Sequence, residues 1–158
     1  LRLLQQGLRP DLVVLDLMMP VMTGWELRER MLRDPGLAAI PTVVISGDTA
    51  PCKETAAASK GADLLVHDGS FAVEEADRAA ETGHTTARDA AILARGAGVR
   101  LLALVHVSSR YNVTELLAQL PALDLRIGLV PQPEEPAVRY RRGVALAGGL
   151  VGPAQRQR

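Results

Sequence analysis

Short, mostly apolar runs alternate along the chain with segments whose apolar positions recur every three or four residues. The runs span residues 12–16, 42–45, 63–67, 99–107 and 123–130. A run of the first kind, Leu12 to Leu15 leading into Asp16, is the sort found in strands buried inside parallel sheets. The intervening segments predict helices with recognisable ends. Residues 1–8 form one, closed by Pro10, and Thr23 with Glu26 has capping-box spacing for a helix over 24–33 that Asp34, Pro35 and Gly36 terminate. A helix over 53–60 closes at Gly61. Thr86 with Asp89 opens a helix to Arg95 that places Ala87, Ala90, Ala91 and Ala94 on one face. Asn112 and Glu115 open a short helix that ends at Pro121. Residues 69–83 are polar and show neither period. From Pro131 on, proline, glycine and arginine dominate, and residues 131–158 read as a disordered tail. Strands alternating with helices predict an α/β fold with a mostly parallel sheet flanked by helices.

Composition narrows this picture. The hydrophobic fraction is 47% but aromatics make up 3%, so the core must be built from Leu, Val and Ala. Eighteen basic residues balance eighteen acidic ones, and no global field draws the chain to nucleic acid or membrane. No stretch is long and apolar enough for a membrane span. Nor does the N-terminus carry a secretory signal pattern. The lone Cys52 fits a reducing, cytoplasmic setting. Residue 1 is leucine inside a helical pattern, so the N-terminus reads as cut.

Two groups of residues carry chemistry. In PDLVVLDLMMPVMTGWEL, residues 10–27, an apolar strand delivers Asp16 to its carboxyl end, with Pro20 and Gly24 at fixed offsets and IPTVVIS downstream. This pattern, over residues 1–47, resembles the receiver domain of two-component response regulators, a flavodoxin-like fold. The resemblance implies that Asp16 accepts a phosphoryl group, that Ser46 contacts it, and that the Met18 backbone carbonyl helps to hold Mg²⁺. It also implies a histidine kinase or another phosphodonor as partner. The acidic pair that completes a receiver's Mg²⁺ site would precede residue 1. Where receivers carry a lysine after GAD, this chain has Asp68, whose charge would repel an acyl phosphate.

The second group is SGDTAPC, ADLLVHDGSF, GHTTA and LVHVSSRY, in that order between residues 46 and 111. Together they resemble the C-terminal half of ribonuclease Z, a metallo-β-lactamase-fold phosphodiesterase, over about residues 42–130. The resemblance implies Asp48 and His106 as Zn²⁺ ligands, with Asp68 (glutamate in the family) and His84 assisting proton transfer to the leaving group. Two metals that activate water beside an acid that protonates the departing oxygen form a reasonable phosphodiester hydrolase. The Arg110 side chain is expected to reach phosphate or the bridging aspartate. The family's His-x-His-x-Asp-His run is not in this sequence, and two ligands do not hold zinc tightly where roughly four are usual.

The expected division is a receiver-like fragment over 1–47, a ribonuclease Z-like half over 48–130, and the tail. Residues 42–66 satisfy both templates. The chain is then a join of two partial sites, a receiver-like sheet completed by borrowed strands, or a metallo-β-lactamase half that needs a partner. The receiver function ranks first because residues upstream would complete its metal site. The alternative is a zinc-dependent endoribonuclease fragment that acts on RNA, in particular in tRNA 3′ processing. A third reading is a catalytically dead binding piece. Hydrolysis by the chain alone is not expected, and the oligomeric state is left open.

Overall fold

The computed structural model describes residues 1–120 and 125–129. The predicted tail, 131–158, lies outside them. Five strands, β1 (Val13–Asp16), β2 (Thr42–Ile45), β3 (Leu64–Asp68), β4 (Leu101–Val105) and β5 (Arg126–Leu129), form one sheet. Their order in space is their order in the chain, and every neighbouring pair is parallel. The sheet crosses residue 47 without a break, because β2 pairs with β3.

The connecting helices are α1 (Arg2–Gln5), α2 (Gly24–Leu32), α3 (Pro35–Ala38), α4 (Lys53–Ala58), α5 (Ala76–Thr82), α6 (Ala87–Gly96) and α7 (Val113–Ala118). α2 begins with the predicted capping box, in which the Thr23 hydroxyl accepts from Glu26 N–H and the Glu26 carboxylate accepts from Thr23 N–H. Its first residue, Gly24, lies so close to the end of β1 that a Cβ there would sit 2.2 Å from the Asp16 carbonyl oxygen. Only glycine permits that approach. The Asp34 carboxylate caps α3 through Gly36 and Leu37 N–H, so the segment that ends α2 also starts the next helix. The unassigned stretch 69–83 holds a 3₁₀ turn (Val73–Glu75) and α5. Ala79 is the one buried residue of α5, which leaves too little apolar periodicity to read.

One row of side chains across the sheet, Leu15, Val44, Leu65, Leu102 and Ile127, is at most 3% exposed. From Val44 to Ile127 it packs with the predicted alanine stripe of α6, with Ala58 of α4 and with Leu116 of α7. A second cluster, Leu4, Met31, Leu37 and Ile40, continues beneath Val13 at the β1 end. The neighbouring row, Val14, Val43, Leu64 and Leu101, belongs to neither cluster, and Val14 is 60% exposed. Burial of β1 on both faces is therefore corrected. Parallel crossovers share one hand, so a sheet whose strands run in chain order receives its helices on a single face. No helix among the described residues is long and apolar enough to cross a membrane.

Candidate functional site

All strands of a parallel sheet end on the same edge, where the following loops meet, and ligands of open α/β sheets bind there. That edge collects Asp16 at the end of β1, Ser46 and Asp48 after β2, Asp68 at the end of β3, His84 between α5 and α6, and His106 after β4.

Asp68 is fully buried. Its Oδ2 meets His84 Nδ1 at 2.7 Å and accepts from Thr85 N–H at 3.1 Å. Its Oδ1 accepts from Ser70 N–H at 2.9 Å and from the Ser70 hydroxyl at 2.5 Å. Four contacts replace the water that this carboxylate gives up, which is what makes a buried acid tolerable. The His84 side chain keeps 29% exposure and leans on the Phe71 ring, 5.9 Å between centroids. With Nδ1 committed to the carboxylate, Nε2 is the atom left to exchange a proton with anything outside.

The second pair is open to solvent. His106 Nδ1 lies 2.6 Å from Asp48 Oδ1, with the side chains 46% and 64% exposed. His106 has φ +58°, a left-handed backbone that ends β4 and that non-glycine residues adopt mainly where surroundings enforce it. Thr85 ties the two pairs together. Its amide holds Asp68, and its buried hydroxyl donates to the carbonyl of Thr49, the neighbour of Asp48. Thr85 and Ser70 are positioning residues that the sequence reading missed, although both sit inside segments it had singled out.

Arg110 departs from expectation. Its guanidinium pairs with Glu75 at 3.0 Å and lies 5.2 Å from the Phe71 ring centroid and 4.7 Å from that of Tyr111. Glu75 also accepts from the Tyr111 hydroxyl. That bond, then the Arg110 and Arg78 charges, holds its carboxyl below the usual range. Arg110 is thus engaged away from Asp48, because an anionic partner and two aromatic faces lie nearer.

At the receiver-like positions, Asp16 is exposed and its Oδ1 accepts from Met18 N–H at 3.0 Å. Ser46 is 8% exposed, and its hydroxyl is directed at the carbonyls of Gly47 (3.2 Å) and Val66 (3.4 Å). No group of three or more His, Cys, Asp or Glu able to hold a metal ion exists among the described residues.

The relatives of the chain carry the family name that its second group of motifs resembles. About half of this chain is ribonuclease Z-like. It is 59% identical to Ribonuclease Z of Gemmatimonas aurantiaca over 70 residues, 44% of this chain and 22% of that protein. Against Ribonuclease Z of Myxococcus xanthus it is 53% identical over 79 residues, 49% of this chain and 26% of that protein. Against that of Methanothermobacter thermautotrophicus it is 47% identical over 77 residues, 49% and 25%. The matches span about a quarter of these curated relatives' length. No family model matches the chain. The receiver resemblance gains no support from the comparisons.

Proposed function

We propose that the ribonuclease Z-like stretch is the proton-donating part of a phosphodiesterase site for RNA. The observation that carries this reading is the Asp68–His84 pair, 2.7 Å apart at the sheet edge that also holds the Asp48–His106 pair. Asp68 fixes the imidazole by its Nδ1 edge and stabilises the imidazolium, and Nε2 delivers a proton to the departing oxygen. Ser70 and Thr85 keep the carboxylate in place. Asp48 and His106 are two of the roughly four donors that a zinc ion takes, so these residues alone do not fit a tight site. Metal-dependent cleavage would need donors beyond those found among the described residues.

The test is a hybrid in which the matching segment of the Gemmatimonas aurantiaca protein is replaced by the stretch from this chain. Cleavage of an RNA substrate is expected, with about a hundredfold loss in His84→Ala and in Asp68→Asn. A folded, zinc-loaded hybrid that does not cleave, or whose cleavage ignores both substitutions, would sink the reading.

A phosphoacceptor role for Asp16 is the second reading, favoured by its exposed carboxylate at the end of β1. The engagement of Ser46 with backbone carbonyls weighs against it. Incubation with Mg²⁺ and a small phosphodonor should then give a hydroxylamine-sensitive mass gain that Asp16→Asn abolishes. No gain in the parent chain ends this option.

A further inference from the structure

On the helix-bearing side of the sheet, α4 lies between α2 and α6 and is the shortest of the three. Its outward residues carry little bulk. Ala56 is half-buried and Ala57 exposed, where the flanking helices present Trp25, Leu32 and Leu93, all half-buried. Two hollows result. One, of about 580 Å³, lies between α2 and α4, with Trp25, Leu32 and Ala57 among its walls. The other, of about 560 Å³, lies between α4 and α6, with Ala56, Ala57 and Leu93 among its walls. Ala57 and Lys60 border both, so the hollows meet over α4 at a methyl group and a lysine stem. An indole and two leucines beside a helix of alanines form an apolar trough of the kind that a helix from another chain enters.

We propose that this trough receives an amphipathic helix of a partner protein, one whose aliphatic stripe is flanked by carboxylates. Charge selects the occupant. The two acids on the border are answered on their own helices, Glu29 by Arg33 at 2.6 Å and Glu54 by Lys53 at 3.9 Å. Lys60 and Arg95 are exposed and meet no carboxylate among the described residues. The border therefore carries two uncompensated cations, Lys60 where the hollows join and Arg95 on the α6 side. Acidic side chains beside an apolar stripe match this pattern, and basic ones are repelled by it. Spacing selects a helix over a small amphiphile. Neighbouring helix axes stand about 8–10 Å apart, so the two hollows accept side chains about two turns apart on one helix. A small amphiphile would fill only one of them. This inference is independent of the catalytic reading, since it uses neither the Asp68–His84 nor the Asp48–His106 pair.

Trp25 is the single tryptophan of the chain, so its emission reports directly on the trough. The probe is a synthetic peptide of about 15 residues with leucines at i, i+3, i+4 and i+7 between glutamates. Its twin carries lysine in place of every glutamate. Titrated into the full chain, the glutamate peptide should give a saturable shift of Trp25 emission, and the lysine peptide should bind about tenfold more weakly. Lys60→Glu should weaken the glutamate peptide about tenfold and favour its twin. Ala57→Gln should weaken both by raising the floor where the hollows meet. Circular dichroism identifies any variant that fails to fold, and Arg95→Glu, with the same expected reversal, decides if Lys60→Glu does. No saturable shift, equal binding of the two peptides, or a folded Lys60→Glu variant with unaltered preference overturns the proposal. So does a shift that dodecanoate produces and the glutamate peptide does not, which assigns the trough to a small amphiphile. A shift that grows with the concentration of the chain alone overturns it too, by assigning the trough to a second copy.

Discussion

His67 is fully buried beside the site, with its Nδ1–H donated to the Asp68 carbonyl at 2.9 Å and its Nε2 without a partner among the described residues. Burial pulls its pKa below the ordinary 6.5, and the Asp68 carbonyl and charge offset this only in part. The unfolded chain therefore takes up a proton near pH 6.5 that the folded chain refuses until lower pH. Stability is unaffected above that value and falls as pH drops through it, at a slope approaching about 1.4 kcal/mol per pH unit. Melting temperatures between pH 8 and 5.5 should fall more steeply for the parent than for His67→Leu, and parallel profiles would show that His67 is not the cause. Gly24→Ala should cost about 3 kcal/mol in denaturant unfolding, because its Cβ meets backbone that cannot step aside. At this scale the sequence alone picked out the acids and imidazoles that the sheet edge collects, since each lies in a recognisable segment. It did not reveal Thr85 and Ser70, whose roles run through one amide and one hydroxyl apiece and depend on loops distant in the chain meeting.

Helix ends were the most legible elements. The Thr23, Thr86 and Asn112 caps act within their own first turn, so local spacing suffices to find them. Thr23→Ala should lower stability by about 1 kcal/mol, read as a shift of the urea midpoint with an unchanged slope. α5 was illegible because its fixed position derives from neighbours and not from its own pattern. α6 is the opposite case. Its four buried alanines bring the helix close to the sheet, and Ala91→Leu should destabilise by about 2 kcal/mol through overpacking.

For the whole molecule, parallel pairing followed from apolar runs separated by helices. The bare face did not, because the length of a run records that a strand is apolar and not which neighbours cover it. Strand order decides that, and order is set by long-range pairing. The continuous sheet also means that residues resembling two different families share one set of backbone hydrogen bonds. A chelator should leave the melting temperature unchanged, since no three-donor cluster exists among the described residues to couple metal to folding. A drop of several degrees would point to metal ligands elsewhere in the chain.

Because spatial order follows chain order, the two ends of the sheet leave from opposite borders. Tension applied through them loads β1 and β5 first, and neither can shield β3. Pulled in a single-molecule instrument, the sheet should come apart from its margins inward, and the central ladder that carries Asp68 should be the last to yield.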